Sequence, residues 1–173
     1  QILDYLNLNK NTKLIFQPGT FQIKLGLESL LGIYQNTYLF ISNKEEAERI
    51  LNIDEMDVSA LLEKIHDLGP KNVLITDSIN GAYFFDGKEK FFMNSLYKKE
   101  ETIESTGAGD SFSAGFVSAI YFGKNIKEAL SWGAINAKEV VSFVGPHDGL
   151  LDQKQILQKM ESFKDSLILN KIN

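Results

Sequence analysis

Short apolar runs alternate with stretches of helical spacing along this chain, and the alternation predicts most of its elements. Lys13-Leu14-Ile15-Phe16 is a compact apolar run stopped by Pro18-Gly19. Ile23, Leu27, Leu30 and Leu31 then recur on one helical face, so the reading is strand, turn and a helix over 21–31. The β-branched and aromatic run 37–41 repeats the theme and is followed by the helix-favouring, polar 44–51. A further helix is expected over 58–68, ended by Gly69-Pro70, and a buried strand over 73–76. After it, two apolar runs flank Asp86-Gly87 and predict a hairpin. From Ala108 the spacing is helical over 108–122, 126–144 and 152–167. Strands separated by helices imply right-handed crossovers. The expected fold is α/β: three layers, a mostly parallel sheet flanked by helices, and a β-hairpin at the sheet edge. Ligands of such sheets bind beyond the carboxyl ends of the strands, which directs attention to the loops after Phe16, Ile41 and Thr76.

Composition narrows the chemistry. The 173 residues are 43% hydrophobic and 24% charged, the profile of one ordinary folded domain. There is no cysteine, which excludes disulfides and thiolate metal sites, and two histidines leave little for a zinc centre. A net charge of −5 argues against a nucleic-acid partner, since that role needs a basic footprint. The longest uncharged stretch, 111–123, falls well short of the ~20 residues that span a bilayer, so no membrane association is expected. Residues 1–10 lack the basic and apolar regions of a signal peptide, and a cytoplasmic location follows if the true start is present. The chain opens on glutamine, which suggests a piece of something longer.

The most informative stretch is Glu104-Ser105-Thr106-Gly107-Ala108-Gly109-Asp110-Ser111-Phe112. Two glycines flank an alanine where a loop enters an apolar helix, so successive backbone N–H groups can converge on one anion, and a phosphate suits that geometry. The bland alternative is a glycine-containing turn with Asp110 capping the helix. Two common phosphate motifs fail. A dinucleotide fingerprint needs glycine where Phe112 stands. A Walker loop fails over 81–89, where the glycines are one residue too far apart and Glu89 replaces the Ser or Thr.

Residues 106–116 resemble, nearly position for position, the carboxyl-terminal signature of the ribokinase-like (PfkB) family of carbohydrate and nucleoside kinases. Earlier landmarks occur in the right order: a strand followed by Pro-Gly, Asn-x-x-Glu at Asn43–Glu46, and Thr-x-x-x-x-Gly at Thr76–Gly81. The resemblance implies an ATP- and magnesium-dependent kinase acting on a sugar or nucleoside hydroxyl. Asp110 then corresponds to the catalytic base, and Gly107, Ala108 and Gly109 to the anion hole for the transferring phosphoryl group. Asn43 and Glu46 correspond to an element that holds magnesium, usually through water, though the same pair reads as a helix capping box. Thr76, Asp77, Ser78 and Gly81 correspond to the segment along the nucleotide's phosphates and ribose. Ser78 stands where glycine is usual, and Asn80-Gly81 is also a good turn in its own right. Asn136, in a small-residue helix, corresponds to the adenine position, while small residues equally allow close helix packing. Glu104, Thr106 and Gly145 correspond to a monovalent-cation site for potassium, with Glu104 in place of the usual aspartate.

The remaining candidates read blandly: His66 as a solvated surface residue, His147-Asp148 as no triad, and Asp54, Glu55 and Asp57 as a helix-initiating turn. The Gly-Gly stretch of the family's amino-terminal half does not occur here. The resemblance therefore implies that residues 1–173 are the carboxyl-terminal, ATP-site part of a kinase domain, without its substrate and lid part. A non-catalytic nucleotide-binding fragment is the alternative. In the full-length protein a homodimer through the lid is expected.

Overall fold

A computed structural model describes residues 1–145 and 147–173. The chain divides into two compact units, one of 1–76, 83–91 and 171–173, the other of 77–82 and 92–170. In chain order the elements are α1 (Ile2–Leu8), β1 (Leu14–Phe16), α2 (Thr20–Leu25), α3 (Leu27–Gln35), β2 (Thr37–Asn43), α4 (Lys44–Leu51), α5 (Val58–His66) and β3 (Asn72–Thr76). There follow β4 (Ala82–Phe85), β5 (Lys90–Met93), α6 (Ala108–Tyr121), α7 (Ile126–Val140), α8 (Gln153–Ser162) and β6 (Leu169–Ile172). The six strands form one mixed sheet in the order β1-β2-β3-β4-β5-β6, flanked by helices.

β1 pairs with β2 and β2 with β3, both in parallel. The link from β3 to β4 is too short for a crossover, so the chain must turn back antiparallel there. The β4–β5 hairpin turns where expected: the Asp86 carboxylate accepts from the N–H groups of Lys88 and Glu89 at 2.8 and 2.7 Å, and Gly87 supplies φ +86°.

The core of the first unit joins both sides of the strand–helix alternation. Phe40, Val73 and Ile75 of the strands are buried with Leu61, Leu62 and Ile65 of α5. Phe16, Tyr34 and Phe40 form an aromatic cluster, with Tyr34 stacked on Phe40 at 5.7 Å and edge-on to Phe16 at 5.5 Å.

The expected helix over 21–31 is two helices. Gly26 adopts φ +80° and ψ 161°, which no helix can continue through, so α2 ends and α3 begins there. The helix expected over 126–144 stops at Val140, because the Val141 carbonyl turns to accept the Ile103 N–H at 2.8 Å. α8 is likewise shorter than the spacing over 152–167 suggests. α1 and β6 carry no clear periodic signal and appear only in the structure. His66 is not a solvated residue: its ring meets Phe85 edge-on at 4.9 Å and packs under Gly87, where a Cβ would lie 2.8 Å from Nε2. Asp57 does start a helix, accepting the Ser59 N–H at 2.9 Å. Among the described residues, no helix is long and apolar enough to cross a membrane.

Burial pushes the Tyr34 hydroxyl from 10.0 up to about 12. The native state thus favours the neutral phenol. This contribution to stability is whole below pH 10 and disappears as pH rises through about 12. Thermal melts across that window should fall more steeply for the wild type than for Tyr34→Phe, and parallel curves would show that Tyr34 does not govern the alkaline limit.

Candidate active site

Two parts of the chain carry the sequence-predicted residues. In the first unit, the β2–β3 register places Asn43 opposite Thr76 at the carboxyl ends of adjacent parallel strands. Asn43 caps α4: its Oδ1 accepts the Glu46 N–H at 2.8 Å, and the Asn43 N–H donates to Glu46 Oε2 at 3.0 Å. The capping box is therefore real. It also fixes two oxygen-bearing side chains at a strand end, and hard oxygen donors suit magnesium.

In the second unit, Asp77 precedes a 3₁₀ turn, Ser78–Asn80, and its Oδ2 accepts from Asn80 Nδ2 at 3.1 Å. Ser78 holds φ +49°, the left-handed conformation that glycine adopts without penalty. The Ser78 hydroxyl is also hydrogen-bonded to Tyr97, whose own hydroxyl is raised above its ordinary pKa chiefly by burial. Gly81 is demanded by the fold: φ is +109°, and a Cβ there would lie 2.3 Å from the Met93 carbonyl oxygen.

The signature itself sits at the amino end of α6. Gly107 is the N-cap with φ +83°, so it turns the loop into the helix but has no side chain to cap with. Asp110 is the third helical residue, exposed, and is not the N-cap that the bland reading required. Gly109 differs from both other glycines. Its φ is not positive, and, among the described residues beyond its own helix turn, a Cβ built on it meets no atom within 4 Å. No described neighbour requires glycine at 109. A missing side chain beside open space, in the first turn where helix N–H groups lack intrahelical partners, is a cradle that an anion can approach closely.

What holds that turn in place is α7. Gly115 of α6 lies against the Trp132 backbone, where a Cβ would come within 2.7 Å of the carbonyl oxygen, and Gly133 receives the Phe112 ring. Asn136 is 3% exposed. Its Nδ2 donates to the Ser111 carbonyl at 2.7 Å, and its Oδ1 accepts the Leu151 N–H at 3.1 Å. The adenine contact expected of Asn136 does not match this geometry, which makes the residue a brace between α6 and the loop before α8.

Glu104, Thr106 and Gly145 are brought together as anticipated, but with donors pointing at the carboxylate. The Thr106 hydroxyl and the Gly145 N–H, the latter at 2.9 Å, both bond to Glu104 and hold its pKa below the usual range. These two hydrogen bonds occupy part of the acceptor capacity of the carboxylate. Among the described residues, no cluster of three or more acidic or histidine side chains could hold a metal.

A cleft of about 660 Å³ is lined by Ser78, Ile79, Tyr97, Lys99 and the residues from Thr102 to Ser105. Its volume suits a nucleoside-sized ligand. Ile79 and Ile103 present apolar surface there at 45% and 65% exposure, while Lys99 and Glu104 supply charge. Tyr97, Lys99, Thr102 and Ile103 belong to none of the motifs read in the sequence. Only folding brings 78–79 beside 97–105.

A loop with two glycines entering a helix, in an α/β chain with a mixed sheet, is the kind of place where phosphates bind. The family model for pfkB family carbohydrate kinases matches residues 8–153, and the chain belongs to that family. It is 29% identical over 154 residues to a nucleoside kinase of Methanocaldococcus jannaschii, covering 89% of this chain and 49% of that protein. The crystal structure of M. jannaschii nucleoside kinase, an archaeal member of the ribokinase family, superposes with a TM-score of 0.73 at 27% identity over 88% of this chain and 49% of that one. Arabidopsis thaliana ribokinase complexed with ribose and ATP shares the fold, with a TM-score of 0.77 at 24% identity over 91% of this chain and 50% of that one. The chain spans about half the length of the curated relatives it matches.

The two kinds of glycine should separate on substitution. Gly109→Ala should raise stability by about 0.5–1 kcal/mol, since alanine is the better helix former. Gly115→Ala should lower it by about 1–3 kcal/mol through overpacking. Urea denaturation of both variants checks this, and a destabilised Gly109→Ala would show that the fold needs that glycine after all.

Proposed function

We propose that this chain is the nucleotide-site part of an ATP-dependent phosphotransferase that moves the γ-phosphate of ATP to a hydroxyl of a sugar or nucleoside. The observation that carries the reading is Gly109, a glycine that no described neighbour requires, placed within the family signature at the start of a 14-residue helix. In this reading residues 1–173 are the carboxyl-terminal part of a ribokinase-like domain.

Gly107 and Gly109 direct backbone N–H groups at the transferring phosphoryl group and stabilise its charge, a device of the oxyanion-hole type, while the Ala108 N–H, expected to join them, is bonded to the Ser105 carbonyl at 3.1 Å and shapes the turn. Phosphoryl transfer is largely dissociative, so positioning and charge neutralisation contribute more than strong proton abstraction. A carboxylate is then a sufficient base, and Asp110 takes the proton of the attacking hydroxyl. Thr76, Asp77, Ser78 and Gly81 shape the loop that follows the nucleotide, and the cleft bounded by Ser78 and Ile103 takes its base and ribose. Asn43 and Glu46 would hold magnesium through water, and the ion, when bound, neutralises phosphate charge. Glu104, held by Thr106 and Gly145, keeps carboxylate lone pairs that would take a monovalent cation beside the signature.

A second reading, a nucleotide-binding piece without catalysis of its own, is favoured by the half-length match to the relatives. Calorimetric titration of Mg-ATP into the 173-residue chain, with ribose, fructose, hexose phosphates and nucleosides then screened for phosphorylation, separates the two. Binding without turnover supports the second. In the catalytically complete protein, Asp110→Asn should lower turnover by about 10²–10⁴-fold with the KM for ATP little changed. Near-normal turnover would remove Asp110 from the role of base.

A further inference from the structure

Among the described residues, Asn52, Glu55 and Ser78 hold a left-handed backbone without being glycine. Asn52 ends α4, and Glu55 lies in the loop before α5. Ser78 is the one that lines the cleft. At φ +49° the Cβ of a serine crowds the following carbonyl, a cost that glycine does not bear. Strain of that kind persists where the surroundings over-determine it.

Two sets of bonds surround Ser78. Along the backbone, the Asp77 N–H donates to the Gly81 carbonyl at 2.8 Å, the Asn80 N–H to the Asp77 carbonyl at 2.8 Å, and the Gly81 N–H to the Ser78 carbonyl at 3.2 Å. These close the loop but leave the Ser78 side chain unengaged. Its hydroxyl bonds to Tyr97, which lines the same cleft. Tyr97 is built as an anchor: it is 9% exposed, and Ser95 fixes its backbone. The Ser95 hydroxyl accepts the Tyr97 N–H at 3.2 Å and donates to the Tyr97 carbonyl at 3.0 Å. Burial raises the phenol above its ordinary pKa, so it remains a neutral hydrogen-bonding group.

We propose that Tyr97 is a positioning residue for the nucleotide: through the Ser78 hydroxyl it holds residue 78 left-handed and so keeps the 77–81 loop in the shape that the nucleotide meets. Tyr97 acts through Ser78 and not by touching the ligand. Without the bond, Ser78 relaxes toward negative φ, a smaller fraction of the chains carries the competent loop, and the apparent affinity falls by that fraction. The proposal rests on the nucleotide reading of the cleft.

Calorimetric titration of Mg-ATP into the 173-residue chain tests it, with Tyr97→Phe, which removes one hydroxyl and keeps the ring, and with Tyr97→Phe combined with Ser78→Gly. The single variant should weaken binding about five- to tenfold, the worth of one hydrogen bond, and speed amide hydrogen exchange at 78–81. Adding Ser78→Gly should bring the affinity back to within about threefold of the wild type, because glycine takes a positive φ unaided. A Tyr97 that contacts the nucleotide directly, or that only fills the core, gives no such rescue, and that result would overturn the proposal. Unchanged binding in Tyr97→Phe would overturn it too, with the nucleotide reading intact. A wild-type chain that binds no Mg-ATP would overturn the nucleotide reading and the positioning role together.

Discussion

Backbone-to-backbone packing of α6 on α7 is the constraint on which the second unit depends. Gly115 and Gly133 remove the side chains that would hold the two helices apart, so Trp132 and Phe112 close over each other's partner helix. Such contact is unforgiving, because a single methyl group has no space to enter. It fixes the axis of α6, and with it the direction in which the first-turn N–H groups point. Asn136 completes the arrangement by tying Ser111 to Leu151, and the Val141 carbonyl anchors the segment entering the signature through Ile103. The turn at 107–110 is anchored from both sides along the chain. It is held by buried helix packing on one side and by backbone bonds on the other.

The first unit meets a different requirement with different means. Parallel pairing of β2 and β3 sets Asn43 level with Thr76, and a capping box orients Asn43 and Glu46 at the same strand end. Here a local stabilising device and a candidate ligand set are the same atoms. Glycine plays three separate parts across the molecule. Gly81 and Gly107 supply backbone angles that other residues resist, Gly115 supplies closeness, and Gly109 supplies space. Only the last has no explanation among the described residues, and for that reason it carries the proposed anion contact.

Local features of the fold were legible before any coordinates. The Asp86-Gly87 hairpin, the capped helix after Asn43 and the apolar runs of β2 and β3 each follow from neighbours in sequence, since turn chemistry and capping act over three or four residues. The break at Gly26 and the early end of α7 were not legible. Periodicity continues through both, and what stops the helix is a backbone angle in one case and a distant N–H in the other. The partial cover of His66 was illegible for the same reason: Phe85 and Gly87 arrive from a strand and turn well downstream in sequence.

The sequence by itself determined the family and the α/β alternation, because these are encoded in contiguous residues whose spacing survives without context. Tertiary structure alone decided which partners the candidate side chains meet. It turned Asn136 inward as a brace, satisfied Glu104 with Thr106 and Gly145, gave Ser78 a glycine's conformation, and assembled Ile79, Tyr97 and Ile103 around one cleft. Those outcomes depend on burial and on hydrogen-bond partners contributed by remote segments, and a polar side chain's role is set by which partner reaches it first.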